Sequence, residues 1–249
     1  MPACDIACMI DALAFDADDT LWHNESLFRD TQSEFRQLLR RYHDDEWIER
    51  RLYATEMRNL AHFGYGVKSF MLSMVETAVE LTEGRMSGAE IQRILELGKA
   101  MLEAPIALLE GAAETVEALA RQRDLMLITK GDLFDQESKL ERSGLREHFR
   151  HVEVVTRKEP STYQRILQRH RIDPAGFVMV GDSLRSDVLP VLAIGGRAVH
   201  IPCATPWQHE VVAAQELPSA GWVRLERIAD VPRWVEGVHE AGGAGRAVR

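Results

Sequence analysis

The sequence predicts an α/β fold, in which a three-layer, Rossmann-like parallel sheet forms the core and an all-helical segment is inserted into it. After Pro105, short apolar runs typical of β-strands alternate with helical patterns, as in parallel sheets whose strands are joined by right-handed crossovers. Before it, one isolated strand pattern at 11–16 is followed by a long stretch with helical periodicity only. Because that strand has no partner until the chain returns, the helical stretch is predicted to be an insertion.

The inserted segment contains four helical patterns. In "ESLFRDTQSEFRQLLRRY" apolar residues recur at three- and four-residue spacings, which places them on one helical face. The stretches "DDEWIERRLYATEMRNLAHF" and "VKSFMLSMVETAVELT" behave similarly. The fourth helix is expected to begin at Ser87, whose hydroxyl can form a capping box with the Glu90 side chain. We therefore predict an α/β core at 1–23 and 105–249 and a helical cap at 24–104.

The remaining core strands are apolar at most positions, which is expected when helices cover both faces of a parallel sheet. They are "LMLIT", "HVEVV", "FVMVG", "RAVHI" and "WVRL". The stretch "LRSDVLPVLAIGG" is predicted to be a helix between the third and fourth of them.

Composition and charge exclude several classes of function. The chain has 249 residues and a net charge of −9, and it lacks the basic face that extended nucleic-acid binding needs. No apolar run approaches the roughly 20 residues that span a bilayer, and the N-terminus lacks the basic start of a secretory signal. Cys4, Cys8 and Cys203 form no CxxC pair and leave an odd thiol under any pairing. We therefore expect a cytoplasmic protein with a small-molecule partner and neither nucleic acid nor membrane; its oligomeric state stays open.

Chemically reactive side chains follow four of the predicted strands. In open parallel sheets ligands bind at the carboxyl ends of the strands, so these residues are expected to share one site. They are Asp16, Asp18 and Thr20 after the first strand, Thr129, Lys130 and Gly131 after "LMLIT", Lys158 beyond "HVEVV", and Asp182 and Asp187 in "GDSLRSD".

Four aspartates in one site need a counter-charge. Carboxylates that lie close together raise one another's pKa and become neutral unless a cation is present. Mg²⁺ fits, because it prefers oxygen ligands and commonly binds one or two carboxylates together with phosphate oxygens. Asp16 and Asp18 lie two residues apart, which on an extended backbone directs both to the same side. One of them can then attack an electrophile while the other manages the proton.

These segments resemble, in order, the four motifs of the haloacid dehalogenase (HAD) superfamily. "DADDT" is similar to its DxDxT motif, Thr129 to its Ser/Thr motif, Lys158 to its Lys motif and "GDSLRSD" to its GDxxxxD motif. A helical cap between the first and second motifs resembles the family's C1 arrangement. The four motifs together cover the whole core and are far more specific than any one of them. Asp19 departs from the pattern, because many relatives have Gly there; we expect the change to be tolerated, with some effect on the local turn.

The resemblance implies a phosphatase mechanism. Asp16 would attack phosphorus and form an aspartyl-phosphate. Asp18 would protonate the leaving oxygen and then deprotonate the hydrolytic water. Lys158 would neutralise charge shared by Asp16 and the phosphoryl group.

The resemblance also implies the groups that hold the phosphate and the ion. Phosphoryl oxygens would be bound by the Thr129 hydroxyl and by the backbone N–H groups of Lys130 and Gly131. The implied Mg²⁺ ligands are Asp16, the Asp18 carbonyl oxygen, Asp182 and Asp187, the last directly or through water.

Asp18 helps to separate the branches of the family. Dehalogenating relatives need no leaving-group acid and resemble D-x-Y at this motif. We therefore favour a Mg²⁺-dependent phosphatase of the HAD superfamily that acts on a small phosphorylated metabolite. Phosphotransfer as in a mutase, 2-haloacid dehalogenation and a non-catalytic binding module on the same fold are the alternatives. Taken singly, the motif residues would be turn, capping or surface residues.

One stretch of the helical segment, "HFGYGVKSF", contains two glycines together with Tyr65 and Lys68. Its composition predicts a loop between two helices. We favour a structural linker; the alternative is a loop that faces the active site.

Overall fold

The computed structural model describes residues 10–213 and 217–243, the last five by their backbone alone. Cys4 and Cys8, on which part of the cysteine argument depends, lie outside the described residues. The strands are β1 (Ala12–Phe15), β2 (Leu125–Lys130), β3 (Phe149–Val155), β4 (Phe177–Gly181), β5 (Arg197–His200) and β6 (Trp222–Arg224). The helices are α1 (Glu25–Leu39), α2 (Asp45–Phe63), α3 (Val67–Leu81), α4 (Gly88–Glu103), α5 (Ala112–Ala120), α6 (Leu133–Arg142), α7 (Pro160–His170), α8 (Leu189–Ala193) and α9 (Val231–Gly243). Within this part of the chain no helix is long and apolar enough to cross a membrane.

The strands form one parallel sheet in the order β3-β2-β1-β4-β5-β6, which confirms the predicted α/β fold. β1 lies inside the sheet, between β2 and β4. The strand order reverses direction between β1 and β4, and such a switch point opens a crevice at the carboxyl ends of the two strands. The polar residues that follow β1 and β4 therefore start from adjacent positions.

Helices cover both faces of the sheet. On β1, Leu13 and Phe15 face the apolar core that includes α5 and α9, whereas Ala12 and Ala14 face the core that includes α7 and α8. Alternate residues of each strand point to opposite faces, so every position of β1 is buried. Burial on both faces explains the nearly continuous apolar runs and confirms the three layers.

Helices α1–α4, which we call the helical block, have an apolar core of their own. One buried residue from each helix illustrates it: Phe35, Ile48, Met74 and Ile94. The predicted capping box at the start of α4 is confirmed, because Ser87 accepts from the Glu90 N–H while the Glu90 side chain accepts from the Ser87 N–H. The division into a core and a C1-type cap at 24–104 stays a prediction.

Some element boundaries differ from those expected. β2 runs one residue further than expected, to Lys130, and β3 begins at Phe149, two residues before "HVEVV". The helix predicted for "LRSDVLPVLAIGG" begins with a π-helical turn, Leu184–Val188, before α8. Such π-helical turns occur frequently at functional sites, and this one carries Asp187.

Candidate active site

Asp16 is the first residue after β1 and is only 6% exposed. Its N–H donates to the carbonyl oxygen of Val180 in β4 at 2.8 Å, which continues the sheet ladder by one residue. The turn that follows brings Thr20 back to the same place. The Thr20 hydroxyl lies 3.3 Å from Asp16 Oδ2 and 3.4 Å from Asp182 Oδ1, and it accepts the N–H of Asp182 at 3.0 Å. Thr20 thus connects the residues that end the two central strands.

Asp19 occupies a left-handed backbone conformation in this turn, with φ of 60°. Such a conformation is costly for residues other than glycine, and Asp and Asn tolerate it best. The Asp19 carboxylate accepts the N–H groups of Asn24 at 2.9 Å and Glu25 at 3.0 Å, at the start of α1. These bonds satisfy donors that the helix leaves free at its first turn. Aspartate is therefore accommodated where many relatives have glycine.

Lys158 lies between β3 and α7 with a side chain that is 1% exposed. Its ammonium group donates to Asp16 Oδ1 and, at 2.6 Å, to Asp187 Oδ1. α7 begins with Pro160, a residue favoured at the first helical position, and this fixes the end of the segment that carries Lys158. One buried ammonium group therefore serves two buried carboxyl groups.

Asp187 is held by the backbone of the loop that follows β4. The N–H of Ser183 donates to Asp187 Oδ2 at 3.1 Å. A Cβ atom added to Gly181 would lie 2.3 Å from the Asp187 carboxyl carbon. The carboxyl group therefore occupies the space that a side chain would need, which explains the glycine in "GDSLRSD".

Three carboxyl groups form a candidate metal site. Asp16, Asp182 and Asp187 each offer an oxygen atom within 4.8 Å of the others. Burial raises the pKa of Asp16 to about 7 against the opposing charge of Lys158. Burial, with the charges of Asp16 and Asp187, also holds the pKa of Asp182 well above its usual range. One lysine, Lys158, faces these three carboxyl groups, so a cation would offset the remaining negative charge. These residues therefore fit a divalent metal ion.

Asp18 has an environment opposite to that of Asp16. Its carboxylate accepts from Trp22 Nε1 at 2.7 Å, from Gln136 Nε2 at 2.8 Å and from Lys139 Nζ at 3.0 and 3.1 Å. Burial alone would raise its pKa, but the Lys139 charge and these hydrogen bonds hold the pKa of Asp18 below its usual value. Asp16 and Asp18 are therefore paired with different lysines, Lys158 and Lys139. The metal-binding role expected for the Asp18 carbonyl oxygen stays a prediction.

Gln136 and Lys139 are functional candidates that the sequence reasoning missed. Both lie on α6, three residues apart, and residues at that spacing share a helical face. Lys139 also donates to Asn24 Oδ1 at 2.8 Å. The available signal was the position of α6 directly after the strand end that carries Thr129. Their hydrogen bonds to Asp18, more than a hundred residues earlier in the chain, depend on the tertiary structure and have no local sequence signal.

The three residues expected to bind phosphate are placed differently from one another. The Thr129 hydroxyl is buried, lines the cleft described below and has no hydrogen-bond partner among the described residues. The Lys130 ammonium group donates to Ser186 Oγ at 2.9 Å and to Glu210. The N–H of Gly131 donates to the carbonyl oxygen of Val155 at 3.1 Å. Pairing between β2 and β3 therefore continues past Lys130, and the expected use of the Gly131 N–H for phosphate stays a prediction.

Glu210 is a second unexpected member of the site. It lies in the segment between β5 and β6 and accepts from Ser186 Oγ at 2.7 Å as well as from Lys130 and Ser183. Burial opposes ionisation, but the Lys130 charge and these hydrogen bonds lower the pKa of Glu210 to about 2. No local sequence pattern indicates this contact, which spans 80 residues.

These groups face a cleft of about 1080 Å³ between the carboxyl edge of the sheet and the helical block. The loop 64–66, between α2 and α3, lines it. Tyr65 of "HFGYGVKSF" therefore faces the site, as in the alternative interpretation of this stretch. Lys68 instead donates to Asp132 Oδ1, at the start of α6, at 2.9 Å.

The helical block contributes two carboxyl groups to the cleft, Glu25 from α1 and Glu56 from α2. Glu56 is 9% exposed, and its Oε1 has no hydrogen-bond partner in the described part of the chain. Burial, helped by the charge of Glu25, raises the pKa of Glu56 to about 8. Burial and Asp19 raise the pKa of Glu25 to about 7, against the opposing charge of Arg29.

The raised pKa of Glu56 predicts a pH-dependent stability. An unfolded Glu loses its proton near 4.5, whereas Glu56 in the folded protein keeps it up to about 8. Stability from this group is therefore complete below pH 4.5 and is lost as the pH rises through 8. The free energy of unfolding should be measured with denaturant at pH 5 and at pH 8. Relative to the wild type, Glu56→Gln should be more stable at pH 8 than at pH 5, by roughly 1–3 kcal/mol.

The matched control is Glu46→Gln, on the same helix and with a side chain that is 82% exposed. Its stability difference from the wild type should be the same at both pH values. An equal response of the two variants to pH would contradict a buried, protonated Glu56.

Known proteins share this architecture and the order of these segments. A family model described as haloacid dehalogenase-like hydrolase matches residues 10–195. A haloacid dehalogenase-like family hydrolase from Xanthomonas campestris is 41% identical, with a TM-score of 0.84 and 96% of both chains covered. No curated protein matches the chain.

More distant structures share the fold. A predicted phosphoglycolate phosphatase from Haemophilus somnus is 18% identical, with a TM-score of 0.61, and the match covers 90% of this chain and 97% of that one. L-2-haloacid dehalogenase from Xanthobacter autotrophicus is 17% identical, with a TM-score of 0.59 and coverage of 92% and 99%. Phosphatase and dehalogenase names thus occur on the same fold. The extent of the family match and the 41% identity place this chain in the haloacid dehalogenase-like hydrolase family, as an enzyme of the hydrolase class.

Proposed function

We propose that the protein is a Mg²⁺-dependent phosphatase, which hydrolyses a small phosphorylated metabolite through an aspartyl-phosphate on Asp16. The observation that carries this choice is Asp18, a second carboxyl group in the cleft with its own network of donors. Hydrolysis of a phosphate ester needs a proton for the leaving oxygen, whereas release of a halide ion does not. The Thr129 hydroxyl, which has no hydrogen-bond partner among the residues that the structure describes, adds a donor for a phosphoryl oxygen.

The attack on phosphorus is the first step of the proposed mechanism. Asp16 forms a bond to phosphorus as the bond to the leaving oxygen breaks, which divides one difficult displacement into two. Lys158, hydrogen-bonded to Asp16, opposes the rise in the pKa of the nucleophile that burial causes, and it lies where charge develops. Thr129 donates to a phosphoryl oxygen.

Asp18 transfers protons in both steps. A bound phosphate ester adds negative charge near the carboxyl group and raises its pKa, so that Asp18 takes up the proton that it then gives to the leaving oxygen. In the second step its carboxylate accepts a proton from the water that attacks the aspartyl-phosphate. Gln136 and Lys139 orient the group throughout.

Asp16, Asp182 and Asp187 would hold the Mg²⁺ ion, in keeping with their oxygen donors and with an excess of carboxyl groups over the single Lys158. When bound, the ion supplies positive charge that screens the phosphoryl oxygens from these carboxylates. We further propose that the protein is cytoplasmic, as its cysteine pattern predicts.

Loss of one candidate ligand should weaken the requirement for the metal in a measurable way. Asp182→Asn keeps the size of the side chain and removes its charge. The Mg²⁺ concentration that gives half-maximal activity is expected to rise roughly 10- to 100-fold or more. A titration of activity with MgCl₂ measures it, and Asp173→Asn, exposed on the core, serves as the control. An unchanged half-maximal concentration would place the ion elsewhere.

Lys139→Gln tests the support of Asp18. The variant keeps a donor but removes the positive charge beside the carboxylate. We expect kcat to fall roughly 10- to 100-fold, because a displaced acid–base group loses part of its contribution. Steady-state kinetics with p-nitrophenyl phosphate measures this, with Lys99→Gln, exposed on α4, as the control. Equal activity of both variants would show that Lys139 does not support the acid–base function of Asp18.

Four measurements separate the proposal from its alternatives. Release of phosphate from p-nitrophenyl phosphate, dependent on Mg²⁺ and abolished by chelation, supports a phosphatase. Release of halide from 2-haloacids without phosphatase activity would identify a dehalogenase. Phosphorus NMR of sugar phosphates would show isomerised product for a mutase and free phosphate for a phosphatase. Binding of Mg²⁺ and a phosphate mimic with no turnover of any phosphometabolite would indicate a binding module.

A further inference from the structure

The charges that line the cleft are strongly unbalanced. Nine carboxyl groups and three lysines line it, and the described lining includes no arginine. Each of these lysines already makes an ion pair, Lys158 with Asp16 and Asp187, Lys139 with Asp18 and Lys130 with Glu210. All three lie on the core, so the wall formed by the helical block presents no cation to a ligand.

Glu56 is a buried polar group on this wall whose hydrogen bonding is incomplete among the described residues. It is more than nine-tenths buried, lines the cleft and has a carboxyl oxygen without a hydrogen bond among the described residues. Glu25 lines the same cleft, and burial raises its pKa to about 7 despite the opposing charge of Arg29. A buried polar atom without a partner costs free energy, and a buried carboxylate costs more. Its raised pKa keeps Glu56 protonated while it has no partner. A ligand that supplied a donor and a positive charge would favour the ionised form and recover this cost.

Aromatic rings line the same wall. Phe28 of α1 and Phe70 of α3 lie with their ring centroids 5.0 Å apart. Tyr65 follows α2, and Lys130 Nζ already lies 4.6 Å from its ring centroid, which leaves the two phenylalanines for a ligand. Faces of aromatic rings attract organic cations, and a carboxylate beside them adds hydrogen bonds and charge. A carboxylate or second phosphate on the substrate would instead meet Glu25 and Glu56 without a compensating cation.

We infer that the substrate carries an ammonium group on its leaving-group side, which binds Glu56, with Glu25 beside it. The substrate class is the phosphate monoester of a small amino alcohol or related amine. This inference rests on the proposed phosphatase function. The phosphate end binds at Asp16 and Thr129, and the cationic end binds at the helical block.

The test compares ω-aminoalkyl phosphates of increasing chain length with n-alkyl phosphates of the same length, in the full chain with Mg²⁺. The measured quantity is the ratio of kcat/KM for the amine to that for its alkyl partner. At the best length this ratio is expected to be roughly 10 or more in the wild type, and Glu56→Gln should reduce it roughly 10-fold or more. Phosphoglycolate, with a carboxylate in place of the amine, should be a poorer substrate than the amine.

Two further variants keep the test decisive. Glu46→Gln, on the exposed side of α2, should retain the wild-type ratio. Glu25→Gln should lower the ratio as well, and it carries the test if Glu56→Gln does not fold. A ratio near one at every length, or an unchanged ratio in the Glu variants, would overturn the inference. Hydrolysis of p-nitrophenyl phosphate distinguishes failure of the proposed function from failure of this inference. If the protein does not hydrolyse it, the phosphatase function is contradicted. If the protein hydrolyses it but shows no preference for amines, only the amine substrate class is contradicted.

Discussion

Replacement of Asp16 by Asn is expected to lower phosphate release from p-nitrophenyl phosphate by at least about 10⁴-fold. The amide is a much weaker nucleophile than the carboxylate, so the aspartyl-phosphate does not form. Steady-state assays with saturating Mg²⁺ measure the loss. Trapping of labelled enzyme by rapid acid quench should show the covalent intermediate in the wild type and none in the variant.

The matched control for this prediction is Asp30→Asn, an exposed change on α1 outside the reacting groups. Its activity should stay within about a factor of two of the wild type. The Asp16→Asn variant should also remain folded, since it removes one of the three crowded carboxyl charges. Substantial phosphate release by this folded variant would exclude the nucleophilic mechanism.

Lys158→Met is expected to affect both stability and activity. Its ammonium group is shared between two buried carboxyl groups. Removing one partner of a buried ion pair typically costs roughly 3–5 kcal/mol, and loss of a charge that stabilises the transition state costs roughly 10²- to 10³-fold in kcat. Denaturant unfolding and steady-state kinetics measure the two effects.

Added Mg²⁺ should recover part of the lost stability in Lys158→Met, because an ion that binds only the folded protein stabilises it by mass action. It should not restore the wild-type rate. Lys99→Met, exposed on α4, should change stability by no more than about 0.5 kcal/mol. Wild-type stability in Lys158→Met without Mg²⁺ would show that the lysine does not compensate the carboxyl groups.

The centre of the site follows from local sequence because Asp16 and Asp182 stand directly after strands and Asp187 lies in the turn that follows. Apolar runs locate the strands, and the geometry of parallel sheets brings their carboxyl ends together. Asp16, Asp182 and Asp187 therefore converge as the sequence predicts. Lys158 could be placed only with the help of its family motif, since it lies in an irregular segment after β3.

The groups that surround this centre depend on tertiary contacts that no local pattern contains. Lys139 reaches Asp18 because α6 packs beside the turn after β1, and Glu210 reaches Lys130 from a segment 80 residues away. Glu56 sits in a helix whose periodicity indicates only which face is apolar. The end of a strand is also hard to predict from local sequence. The Gly131 N–H was expected to face the phosphate, but it donates to the carbonyl oxygen of Val155 in β3.

The Asp19 carboxylate joins the first turn of α1 to the turn that begins with Asp16. The four residues 16–19 therefore connect the reacting carboxyl group to the helix that carries Glu25 and Phe28. The position of the turn that carries the attacking carboxyl group is therefore fixed partly from the helical block, through the hydrogen bonds of one side chain.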